Sequence, residues 1–150
     1  MIWKVYLSGE IHSDWRQQLI DGVLASDLPV TFSSAVTDHD SSDAAGDLLG
    51  AEQDAFWRDH KSSKVNAIRT KTHLEHCDIA IIRFGEKFKQ WNAAFDAGQA
   101  YAMGKSLIVM HQDEHQHPLK EIDAAALAVV KSPLQVSQIL RYVLDGSLPK

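Results

Sequence analysis

Short apolar runs alternate with longer amphipathic segments along this chain, and the alternation predicts strands and helices in turn. Residues 3–7 are β-branched and aromatic and read as a strand closed by Ser8-Gly9, where glycine permits a sharp exit. Ser13 is an N-cap candidate for a first helix whose Trp15, Leu19, Ile20, Val23 and Leu24 share one face. Residues 29–33 form a second strand with Pro29 at its start, where a missing N–H matters least. The pattern then breaks. Residues 35–63 read as a polar, acidic flap with a short helix around 51–60, and a connection this long is usually functional.

Helical spacing returns over 64–76, and the continuous apolar run at 79–84 suits a strand buried on both faces at the centre of a sheet. A loop over 85–91 leads to a helix capped by Asn92, running to about Met103 and closed by Gly104. Residues 106–110 and 126–130 supply two more strands on either side of a His-rich loop and a polar turn near Lys120. Ser132-Pro133-Leu134-Gln135 opens a final helix that ends before Gly146. This order predicts an α/β fold of one domain over residues 1–150: a doubly wound, five-stranded parallel sheet of the flavodoxin-like type. Such sheets bind ligands beyond the carboxyl ends of their strands, which selects residues 6–12, the flap, residues 84–92 with the helix behind them, and the chain from His111 onward.

Composition narrows the picture. A chain of 150 residues with 45% hydrophobic content can bury roughly 70% of its unfolded surface as one domain. The lone Cys77 removes any internal disulfide framework and fits a cytoplasmic setting. A net charge of −5, from 20 acidic and 15 basic residues, offers no attraction toward a nucleic-acid polymer. The amino-terminal run is too short for a signal peptide and no segment is apolar enough for a membrane span. A small-molecule partner is the expectation.

The segment 91–104 is the most informative. It sets Asp96 in the first turn or so of an alanine-rich helix, where the dipole favours an ionised carboxylate. Small neighbours let that helix lie close to the sheet and hold the acid rigidly, although Asp also favours helix starts without any ligand. Arg83, Lys87 and Lys89 flank the preceding loop, where a helix terminus could receive a 5′-phosphate, and Phe88 and Trp91 could stack a base. His111, His115 and His117 with Asp113 and Glu114 specify no defined ligand geometry, so no metal is assigned; Asp38, Asp40 and Asp43 lack the Gly and terminal Glu of a calcium loop. No phosphate-binding glycine fingerprint or hydrolase elbow is present, and no cofactor is expected.

Three blocks, Val5-Tyr6-Leu7-Ser8-Gly9, Cys77-Asp78-Ile79-Ala80-Ile81-Ile82 and Phe95-Asp96-Ala97-Gly98-Gln99-Ala100-Tyr101-Ala102-Met103-Gly104-Lys105, resemble those of the nucleoside 2-deoxyribosyltransferases and related nucleotide N-glycosidases. Asn66-Ala67-Ile68-Arg69 and the stretch 84–96 are similar to its YtoQ branch. The resemblance implies a flavodoxin-like fold and cleavage of the bond between a nucleobase and C1′ of a deoxyribosyl group. It places Asp96 at the nucleophile position, where the family has a longer glutamate, and Tyr6 as the hydroxyl that orients it. Where the family carries a further acid, counting back from Asp78 lands on Thr70, so the proton donor is open among Glu10, Asp78 and Glu86. The catalytic candidates are thus Asp96, Tyr6 and Asp78. Substrate contacts are expected from Ser8, Gly9 and Glu10 after the first strand and from Phe84, Gly85, Glu86, Lys87, Phe88, Trp91 and Asn92 after the central one. The expected function is transfer or hydrolysis of the deoxyribosyl group of nucleosides or their 5′-monophosphates; a non-catalytic nucleoside-binding module is the alternative. The resemblance and the exposed aromatics also imply a homo-oligomer.

Overall fold

The structure, a computed structural model, describes residues 1–148. Its elements are β1 (Trp3–Gly9), α1 (Trp15–Leu24), β2 (Val30–Ser34), α2 (His39–Ala44), a 3₁₀ turn (Ala45–Leu49), α3 (Ala55–His76), β3 (Ile79–Arg83), α4 (Trp91–Ala102), β4 (Ser106–Met110), α5 (Lys120–Ala125), β5 (Ala128–Val130) and α6 (Pro133–Asp145). The five strands are all parallel in the order β2-β1-β3-β4-β5. That is the doubly wound order expected from the alternation of elements, with its switch point between β1 and β3.

Strand periodicity divides the core in two. Val5, Leu7, Ile79 and Ile81 face Trp15, Leu19 and Val23 of α1 and Val136 and Leu140 of α6. Tyr6, Ala80, Ile82, Leu107 and Val109 face Leu74 of α3 and Ala93, Ala97 and Ala100 of α4. Because successive strand residues point to opposite faces, Tyr6 and Ser8 are committed to the α3–α4 side by the burial of Val5 and Leu7 on the other.

Several local expectations are corrected. The flap of 35–63 is largely helical: α2, the 3₁₀ turn and the first turns of α3 fill it, and α3 runs unbroken for 22 residues instead of as two helices. Apolar periodicity does not reveal this because the segment is fastened by polar contacts. The buried Ser62 hydroxyl donates to the Asp43 carbonyl at 2.5 Å and accepts from the Gly46 amide at 3.0 Å, while Asn66 donates to the Ser42 carbonyl at 3.0 Å. Asp14, not Ser13, precedes α1, because the Ser13 hydroxyl is drawn back to Glu10. Gln90, not Asn92, precedes α4, its carboxamide being taken by the Gly85 amide at 3.0 Å. The polar turn near Lys120 is α5, and β5 is confined to three residues because Ala126 ends that helix. The last helix begins as expected, with Ser132 accepting from the Gln135 amide and Pro133 in its first turn, and it ends at Gly146 with φ +75°.

The tightest constraint lies where β1 and β3 end. Gly9 has φ +106°, and a methyl group there would come within 2.0 Å of the Arg83 carbonyl oxygen. Gly85 is equally confined: a methyl group would lie 2.4 Å from Glu10 Cγ. Gly9→Ala is therefore expected to cost at least ~1–3 kcal/mol through backbone strain alone, with further loss from the clash; chemical denaturation of the variant beside the parent measures it, and an unchanged midpoint would refute the constraint.

Candidate active site

Beyond the strands, β1 and β3 stay locked for one more residue, since the Glu10 amide donates to the Arg83 carbonyl at 3.0 Å. The chain then leaves β1 toward α1 on one face and β3 toward α4 on the other, which opens the crevice of the switch point. Ser8, Gly9, Glu10, Phe84 and Gly85 all converge here. Glu10 is buried, and burial by itself would raise its pKa; the Ser13 hydroxyl at 2.5 Å, the His12 amide and Arg83 outweigh that and hold its carboxyl below the usual range. Arg83 Nε lies 3.5 Å from Glu10 Oε2. Glu10 is thus an engaged carboxylate and a poor proton donor.

Asp96 sits on α4 among Ala93, Ala97 and Ala100, the buried stripe of that helix, and is itself only 7% exposed. With α4 beginning at Trp91, Asp96 falls in the second turn, outside the reach of the terminal dipole expected to act on it. Burial decides its chemistry instead, raising its pKa, while a hydrogen bond donated by the Ser8 hydroxyl to Oδ2 pulls the other way. The hydroxyl in contact with Asp96 is therefore that of Ser8, and the hydrogen bond expected from Tyr6 to this carboxylate is not made. Tyr6 is fully buried and stacked 5.9 Å from the His73 ring. Its hydroxyl lies beside Thr70, with no well-formed hydrogen bond among the described residues. Burial, reinforced by the Asp96 charge, pushes that phenol up to about 12, against the lowering effects of Thr70, Arg16 and Arg69, so it keeps its proton.

The remaining candidates are dispersed. Asp78 accepts from the Lys4 amide at 2.8 Å at the amino end of the sheet, at the opposite end of β3 from the crevice, and serves there as a strand-start anchor. Glu86, Lys87, Phe88, Trp91 and Asn92 are exposed on the loop and the start of α4. The Lys87 and Lys89 ammonium groups lie over the Phe88 and Trp91 rings at 5.3 and 5.5 Å. Phe88 also meets the His12 ring at 4.8 Å, joining the loop after β3 to the loop after β1. His111 is buried between the Gln112 carbonyl, 2.7 Å from Nδ1, and Asp123, 2.9 Å from Nε2, and so ties the end of β4 to α5. Among the described residues no cluster of three His, Cys, Asp or Glu could hold a metal ion, and no helix is long and apolar enough to cross a membrane. Cavities of about 210 and 250 Å³ flank His73 and His111 respectively; Asp96 lines neither.

Arg16 is a site residue that the hydrophobic pattern does not reveal. It donates from Nη1 to the Glu10 carbonyl at 2.5 Å, from Nη2 to the Gly9 carbonyl at 3.3 Å and from Nε to Ser34 Oγ at 2.9 Å. A signal is present in the sequence all the same: a cation in the first turn of a helix opposes the dipole and needs another reason to be there.

Fold and site together define a doubly wound α/β protein with a buried, hydroxyl-held carboxylate beside its switch point. The family model described as nucleoside 2-deoxyribosyltransferase YtoQ matches residues 6–144, and the chain belongs to that family. It is 39% identical over 146 residues to the YtoQ protein of Bacillus subtilis (strain 168), itself uncharacterized, covering 97% of this chain and 99% of that one. A crystal structure of a conserved protein from Enterococcus faecalis V583 superposes with a TM-score of 0.65 at 15% identity, over 96% of this chain and all of the other. A 2-deoxyribosyltransferase from Bacillus psychrosaccharolyticus superposes with a TM-score of 0.53 at 18% identity, over 89% and 90% of the two chains. At these identities the structures establish the shared fold.

Because the folded-state pKa of Asp96 lies above its unfolded value, the folded protein binds the extra proton between the two, and stability falls as pH rises through that window. Asp96→Asn keeps an acceptor for Ser8 and removes the charge. It is expected to melt a few degrees above the parent at neutral pH and to lose that advantage below about pH 4, where the parent acid is itself protonated; equal melting temperatures at both pH values would count against a destabilised carboxylate.

Proposed function

We propose that this chain cleaves the N-glycosidic bond of 2′-deoxynucleosides or their 5′-monophosphates, with the Asp96 carboxylate as nucleophile. The observation that carries the reading is the Asp96–Ser8 contact at the carboxyl end of β1, an anion on a rigid helix beside the crevice where this fold binds ligands. As the bond between C1′ and the base breaks, C1′ takes on oxocarbenium character, and a fixed anion both stabilises that charge and can trap it. The free carboxylate oxygen bonds to C1′ while the C1′–N electron pair departs with the base, which gains a proton. Water or a second base then attacks C1′ and releases Asp96.

The acid for the departing base is neither Glu10, which is engaged and ionised, nor Asp78, which is remote. Glu86, exposed on the loop and without an ion pair among the described residues, is the remaining candidate of the three. Substrate reaches Asp96 by separation of the His12 and Phe88 rings, whose contact bridges the crevice mouth; Phe88 then offers its face to the base. A homo-oligomer is proposed through the outer face of α4, where Trp91, Phe95 and Tyr101 are all more than 60% exposed around Gly98. Sedimentation should show an assembly that Phe95→Glu weakens; a parent monomer at micromolar concentration would refute the interface.

Catalysis is tested by incubating the protein with deoxynucleosides and their monophosphates, following free base by chromatography and protein mass for an adduct with a 2-fluoro sugar analogue. Asp96→Asn is expected to lower base release by on the order of 10⁴-fold. Since the nucleophile must be ionised, the acid limb of the rate profile should lie above the usual aspartate range. Tight binding with neither base release nor adduct would instead establish a nucleoside-binding module.

A further inference from the structure

Of the five arginines in the chain, three have a carboxylate within 4 Å: Arg58 with Asp47, Arg83 with Glu10 and Arg141 with Asp145. Arg16 and Arg69 have none among the described residues, and both stand at the carboxyl ends of β1 and β2. Every acceptor they hold is neutral. Arg16 spans the Gly9 and Glu10 carbonyls and the Ser34 hydroxyl, and Arg69 Nε donates to the Ser34 carbonyl at 3.2 Å. Ser34 thus gathers both guanidinium groups at one point.

Arg16 is half-buried and Arg69 exposed; around Arg16, burial outweighs the nearby Glu10 charge and pulls the guanidinium down to about 10, so its desolvation is only partly matched by an opposite charge. Two such forks side by side present spare N–H donors in the geometry that suits the several oxygens of a phosphate. The pair adjoins the candidate carboxylate along the chain of contacts, since Arg16 holds the Gly9 and Glu10 carbonyls immediately after Ser8, whose hydroxyl donates to Asp96. The Tyr6 hydroxyl is also buried without a well-formed partner. The other cations near the crevice are committed elsewhere, Arg83 to Glu10 and Lys87 and Lys89 to aromatic faces on the exposed loop.

We propose that Arg16 and Arg69 form a phosphate-recognition pair, so that the site takes a 2′-deoxynucleoside 5′-monophosphate in preference to the free nucleoside. The assignment rests on Asp96 facing C1′. It is tested by calorimetry on full-length Asp96→Asn, which separates binding from turnover, using the four common deoxynucleosides, their 5′-monophosphates and inorganic phosphate. The monophosphates should bind roughly 10–100-fold more tightly than the matching nucleosides, the scale of one or two charge-assisted hydrogen bonds. Adding Arg69→Ala, an exposed position whose loss leaves the core intact, should cut that ratio by about tenfold without changing nucleoside affinity; Arg16→Lys, which keeps the charge but loses the fork, should also reduce it. Equal affinity for nucleoside and monophosphate, no binding of any monophosphate, a ratio unmoved by Arg69→Ala, or inorganic phosphate binding as tightly as the nucleotide would each overturn the proposal. The glycosidic reading fails on a separate result, absence of base release by the parent protein from every compound of the panel.

Discussion

The close approach of β1 and β3 at their carboxyl ends governs everything built above them. Gly9 lies against the Arg83 carbonyl and Gly85 against the Glu10 side chain, with distances that leave no space for a β-carbon at either position. This contact sets the register in which Ser8 reaches across to α4, and it fixes the turn in which Glu10 folds back on His12 and Ser13. A crevice at a topological switch point is a property of the strand order. What makes this one specific is that two glycines allow the backbone to close tightly enough to aim neighbouring side chains.

Two carboxylates near that crevice experience opposite environments. Glu10 is buried but surrounded by donors and a guanidinium, so its charge is stabilised in place. Asp96 is buried with one hydroxyl donor and a wall of alanines, so its charge is held at a cost to the fold. The two carboxyl groups are thereby pushed in opposite directions, Glu10 below its ordinary pKa and Asp96 above it. Stability sacrificed at one position on a rigid support is the usual relation between an active site and its scaffold. Asp96 combines that destabilised position with family membership and with a location beside the switch point. Tyr6, kept protonated by burial and by Asp96, adds a proton donor without a well-formed partner to the same region.

The candidate site is partly legible in the sequence. Asp96 stands out because an acid interrupts an otherwise small and apolar helix, and Ser8, Gly9, Glu10, Phe84 and Gly85 follow from the rule that ligands bind beyond the strand ends. Asp78 does not join them, because it precedes its strand and so lies at the amino end of the sheet, opposite the crevice. The contact with Asp96 expected of Tyr6 is made by Ser8, two residues along the same strand face. Arg16 escapes a reading of apolar faces even though its position against the helix dipole is visible, since periodicity ignores a cation that anchors backbone carbonyls.

The succession of strands and helices, the two-sided burial of the central strands and the buried face of α4 were determined by the sequence itself, because hydrophobic periods of two and of about 3.6 residues are local properties that survive any arrangement of the elements. The docking of 35–63 onto α3 through Ser62 and Asn66 was decided only in three dimensions, and so were the Ser8–Asp96 contact and the meeting of Arg16 and Arg69 at Ser34. Each of these joins polar groups far apart along the chain, and a hydrogen bond between distant residues leaves no periodic trace in the segments that supply its two ends.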